Sequence, residues 1–121
     1  MEGLRPEGEY GFGFVNKTES DKENASVFYG NREAGRAKIL PILPARGRLN
    51  YSEPLTLPIP SQARVRWTED NTSHTVNVKL EGVVPKGFVK GTVYFVFTNS
   101  DTIEVTPVKW GDEEGMAKLM K

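Results

Sequence analysis

The sequence predicts an all-β protein: an antiparallel β-sandwich of the Ig-like or transthyretin-like kind, or a small open barrel. Three observations carry that expectation. Apolar and polar residues alternate with a period of two over several short runs, which is the spacing of strands. Proline, glycine and Asn/Ser/Asp clusters interrupt these runs at close intervals, as turns between short strands require. No long stretch carries the spacing of an amphipathic helix, so about six to eight short strands are left to build the core.

Taken in order, "EYGFGFVN" opens the fold, with Tyr10, Phe12 and Phe14 on one face and Gly11 and Gly13 on the other. Glycines at such positions mark a bulge or the close approach of another backbone. The polar run "KTESDKENA" reads as loop and "SVFYGN" as a short strand, with "REAGRAK" a further loop. "ILPILP" carries two prolines, which confines it to a sheet edge or an extended cover segment. "ARGRLNYSE" reads as loop, and "PLTLPIP" again as edge.

Residues 63–68 and 75–80 alternate as a hairpin joined by the polar "EDNTSH", which puts His74 near the tip of a loop. Three registers keep its apolar face together. One sets Arg66 against Asn77 and Arg64 against Lys79, a pairing of like charges. A slip by two sets Arg64 against Glu81 and Arg66 against Lys79. The opposite slip sets Arg64 against Asn77 and Arg66 against Thr75, and removes the repulsion. The cation row Arg64, Arg66, Lys79 either covers the sheet with its aliphatic stems or faces an acidic partner.

"EGVVPKGFVKG" reads as a loop that lends Val83, Val84 and Phe88 to the core, and "TVYFVFT" is the most apolar strand. The turn "NSD" leads into "TIEVTPV" as a second hairpin. If Thr98 pairs with Thr102, Phe97 meets Ile103 and Phe95 meets Val105, which is core. Tyr94 and Val96 then lie on the opposite face, so that face is covered as well, by the C-terminal tail or by a protein partner. The tail "GDEEGMAKLMK" has a case for one or two helical turns, with Asp112 as N-cap and acids in the first turn.

Length and composition bound the rest. A chain of 121 residues makes about one domain with a core of its own. We read 1–121 as one β-sandwich domain, with 1–8 and 111–121 as terminal segments. Sixteen basic and sixteen acidic residues cancel, so bulk charge offers nothing to nucleic acid or an anionic membrane. There is no cysteine, hence no disulfide framework and no thiolate nucleophile. The start "MEGLRPEGEY" lacks the apolar core of a leader, which fits a cytoplasmic protein or a trimmed start. Asn-X-Ser/Thr triplets at Asn16, Asn24, Asn50 and Asn71 read as turn composition.

Catalytic parts are hard to find. His74 is the only histidine, so no second imidazole or thiolate shares a metal with it. No Gly-X-Ser-X-Gly elbow and no phosphate loop occurs. The expectation is a non-enzyme without a cofactor.

The run "GFGFVNKTESDKENASVFYGN", and later "RVRWTEDNTSHTVNVKL" followed by "VPKGFVKGTVYFVF", resembles small proteobacterial lipoproteins found beside type VI secretion effectors. The resemblance implies an immunity protein of the periplasm, anchored by lipid where a leader has been trimmed, that neutralises a bacterial effector toxin. The chain departs from that pattern in lacking a lipobox cysteine. The expected partner-binding residues are Arg64, Arg66, Lys79, His74, Tyr94 and Val96, with no nucleic acid involved. The alternatives are a carbohydrate-binding or adhesin-like module, with Tyr10, Tyr29, Tyr51 or Trp110 as a stacking platform, and a small structural subunit of a phage or secretion apparatus.

Overall fold

The computed structural model describes residues 9–30, 32–36, 42–43, 48–50, 59–99 and 102–119. Their strands are β1 (Tyr10–Asn16), β2 (Lys22–Tyr29), β3 (Arg32–Arg36), β4 (Ile42–Leu43), β5 (Arg48–Asn50), β6 (Gln62–Glu69), β7 (Thr72–Lys79), β8 (Gly91–Asn99) and β9 (Thr102–Lys109). A short helix, α1 (Glu113–Leu119), follows. The first sheet has the order β5-β1-β8-β9, and the second β3-β2-β6-β7 with β4 also paired to β2. The two do not close into a barrel. This is the small all-β sandwich that the alternation predicts.

One pairing departs from the antiparallel expectation. β1 runs parallel to β8, from Tyr10 opposite Gly91 to Asn16 opposite Phe97. Parallel neighbours need a long connection, and here most of the chain supplies it. Two segments read as loop are strands: Arg32–Arg36 pairs with β2, and Arg48–Asn50 pairs with β1. Neither alternates in hydropathy, so the register of a distant strand decides them. β2 also begins at Lys22, inside the run read as loop, and there it pairs with Ile42 and Leu43. The expectation for "PLTLPIP" falls mostly outside the described residues.

Aromatic side chains fill the space between the sheets. Phe12, Phe14, Phe95, Phe97 and Trp67 are all essentially inaccessible. Phe12 meets Phe95 edge-on at 5.4 Å, and Trp67 meets Phe97 edge-on at 5.0 Å. Such contacts add about 0.5–1.5 kcal/mol each beyond area burial. Val84 and Phe88 join this core from the 81–90 loop, whereas Val83 stays 41% exposed.

The two hairpins differ in their turns. Asp70 and Asn71 both take positive φ, at 54° and 62°, so two residues, and not six, join β6 to β7. Asn and Asp tolerate that region, and its twist suits a tight hairpin. In the β8–β9 hairpin Phe97 meets Ile103 and Phe95 meets Val105 as expected, but a bulge sets Asn99, not Thr98, opposite Thr102.

Candidate functional site

The β6–β7 register places Arg64 opposite Asn77, Arg66 opposite Thr75 and Gln62 opposite Lys79. It is the one register of the three that keeps like charges apart. Across the other edge of β6, Phe28 lies beside Arg64 and Ser26 beside Arg66. The Arg64 guanidinium sits 5.3 Å from the Phe28 ring and donates to the Gly30 carbonyl at 3.3 Å. Arg64 thus covers its own sheet. Arg66 and Lys79 are exposed, and among the described residues neither has an ionic partner.

The remaining sequence-predicted residues lie elsewhere. His74 is within β7, not at a loop tip, and stacks on Trp67 at 5.3 Å with the rings 12° from parallel. A tight turn moved it into the strand, where its ring caps the core. Tyr94 and Val96 are each 3% exposed and cluster with Val15, Val108, Leu119 and Met116. The chain's own α1 therefore takes part in covering the face offered to a partner, which corrects that assignment. The helix is held there by its cap: the Gly115 amide donates to Asp112 Oδ1 at 3.1 Å. The six residues thus fall on three surfaces: Arg64, Arg66 and Lys79 share one, Tyr94 and Val96 share another, and His74 stands apart.

Two features escape sequence reasoning. The first is a polar plug at one end of the sandwich. Lys22 Nζ, fully buried, meets Glu69 Oε1 at 2.6 Å and lies 5.7 Å from the centre of the Phe97 ring. Ser20 Oγ donates to Glu69 Oε2 at 2.6 Å, and Trp67 Nε1 donates to Oε1 at 3.4 Å. Burial raises the Glu69 carboxyl, but hydrogen bonds from Lys22, Ser20 and Trp67 outweigh it and hold the group below its ordinary value. No sequence signal links residues 47 apart. Among the described residues no buried polar side-chain atom lacks a partner. The plug is architecture.

The second is the open side of the sandwich, where β7 ends one sheet and β9 the other. Between them lies a cleft of about 410 Å³ lined by Asn77, Val78, Lys79, Val83, Ile103, Glu104 and Val105. Val76, Ile103 and Val105 are only partly buried there. The core reaches solvent along this seam, and Lys79 belongs both to the seam and to the cationic face.

Of the aromatic residues named as a sugar platform, Tyr10 is 3% exposed and shares a 3.0 Å hydroxyl contact with Tyr29. Tyr51 lies outside the described residues. Trp110 is 55% exposed, with its indole donating to Thr92 Oγ1 at 3.1 Å. Among the described residues no group of three or more acidic or histidine side chains is placed to hold a metal ion. In comparisons with known proteins, no family model, curated protein or solved structure matched the chain.

Proposed function

We propose that the chain is a non-catalytic binding protein, an immunity protein that neutralises a secreted antibacterial effector by covering its active-site mouth. The resemblance noted in the sequence supplies the class of partner, and the periplasm as the place of action. The observation that supports binding is the outer face of the second sheet. Arg66 and Lys79 stand exposed on it, with uncharged ladder neighbours Ser26, Thr75 and Gln62. Arg64 keeps its charge but directs it onto the Phe28 ring and the Gly30 carbonyl of its own sheet. Arg66 and Lys79 present theirs to solvent from rigid strands, and a carboxylate-bearing partner surface complements them.

The test is co-production with the toxin encoded beside this protein, in the compartment where the toxin acts. Growth returns with the native chain, and Arg66→Glu weakens the complex at least tenfold, roughly 1.4 kcal/mol. Its melting temperature stays close to native, because an exposed strand position shifts stability by about half a kcal/mol or less. Unaltered toxicity in the presence of folded native protein overturns the proposal. So does turnover of a substrate in proportion to this protein's own concentration.

A further inference from the structure

We infer that the free edge of β7 is a strand-addition site, which takes an extended, acidic–apolar segment of the partner as a further strand beyond β7. The inference deepens the binding reading above by naming the segment recognised. It does not require that the partner be a toxin.

Backbone groups alternate in direction along β7. Asp70 and Asn71 close the β6–β7 hairpin as a tight turn, so Glu69 and Thr72, Trp67 and His74, and Val65 and Val76 are the hydrogen-bonded pairs. The Leu80 amide bonding to the Ser61 carbonyl at 2.8 Å keeps the same phase. The backbone N–H and C=O of Ser73, Thr75, Asn77 and Lys79 therefore point away from β6. Among the described residues no strand meets them. Four complete donor–acceptor couples stand along one edge, spaced as an extended chain needs.

The neighbouring edge is blunted where this one is not. The Lys17 amide bonds to the Phe97 carbonyl at 3.0 Å, so Phe97, Phe95 and Val93 turn their backbone groups toward β1. Their partners Ile103, Val105 and Pro107 then turn theirs outward, and Pro107 has no N–H to give. Proline on an edge is a device against pairing, and β7 carries none.

Side chains complete the complement. A strand added to β7 lays alternate residues over the seam, against Val76, Val78, Ile103 and Val105. Its other residues join the outer face beside Lys79 and one strand away from Arg66, where acids are favoured. A second copy fits less well. Self-pairing of β7 joins two such faces and gathers Arg64, Arg66 and Lys79 of both chains on one continuous sheet.

The probes are two capped peptides of about nine residues, long enough to span the edge at about 3.3 Å per residue. One alternates valine with glutamate and the other valine with lysine. Amide hydrogen exchange of the full chain is followed by NMR. The valine–glutamate peptide slows exchange at least tenfold at Ser73, Thr75, Asn77 and Lys79 and leaves Val76 and Val78 unchanged. Asn77→Pro removes an outward N–H and abolishes the effect while the melt stays near native. Should that variant unfold, Lys79→Glu serves instead, reversing the preference between the two peptides. No alternating protection, or equal protection by both peptides, overturns the inference. So does a concentration-dependent dimer that protects the same four amides without peptide. A protein that rescues growth yet ignores the peptide loses only this inference, and one that binds the peptide without rescue loses only the immunity reading.

Discussion

A fully buried ammonium, Lys22, depends on Glu69, and the two halves of that pair do not cost the same to remove. Glu69→Gln leaves a charge with no counter-ion inside the sandwich, and we expect a loss of about 3 kcal/mol. Lys22→Met keeps the stem over Phe97 and leaves Glu69 with the Ser20 and Trp67 donors, so about 1–2 kcal/mol is expected. The double variant loses less than the sum. Because the Glu69 carboxyl is held below its ordinary 4.5, its contribution is complete above that value and disappears as pH falls through the lowered one. Thermal melts of native protein and Glu69→Gln converge on acidification below about pH 4.5, and a gap that stays constant into strong acid refutes the account of the plug. None of this was legible in the sequence. Lys22 sits in a polar run that reads as loop, and only the pairing of β2 with β6 brings it to Glu69.

Elements carry their own tests. The α1 cap and anchor both act on the first sheet's outer face. Asp112→Ala removes the acceptor for the Gly115 amide and costs about 1 kcal/mol. Leu119→Ala, at a position 5% exposed, costs about 2–3 kcal/mol. In addition Leu119→Asp lifts the helix and exposes Tyr94 and Val96, which an apolar dye such as ANS reports by increased fluorescence. Unchanged dye binding contradicts the covering role of the helix. This helix was legible, because Asp112 followed by two glutamates is a local signal. The β8–β9 facing of Phe97 and Phe95 was legible too, since alternation is local to the hairpin. The strands β3 and β5 were not, because "REAGR" and "RLN" owe their conformation to ladders with β2 and β1. The tight Asp70–Asn71 turn was hidden by a polar run that looks longer than it is. Asn71→Val, a β-branched residue at positive φ, should cost about 1–3 kcal/mol by urea titration, whereas Asn71→Gly stays near native or gains slightly.

At the scale of the molecule, the parallel pairing of β1 with β8 ties distant parts of the chain into one sheet, and among the described residues β7 and β9 are sheet edges on the same side. Nothing local in the sequence specifies that closure, which is why the cleft and its seam emerge only with the fold. Within the second sheet the β6–β7 register makes the edge of β7 and the Arg66–Lys79 face one continuous surface. Titration calorimetry of the proposed toxin partner with native protein and Arg66→Glu, at low and high salt, is the direct test. The native chain is expected to form a one-to-one complex that weakens with salt. Arg66→Glu is expected to bind at least tenfold more weakly at low salt, roughly 1.4 kcal/mol, with a flatter salt dependence. Equal affinities for the two proteins at both salts would contradict it.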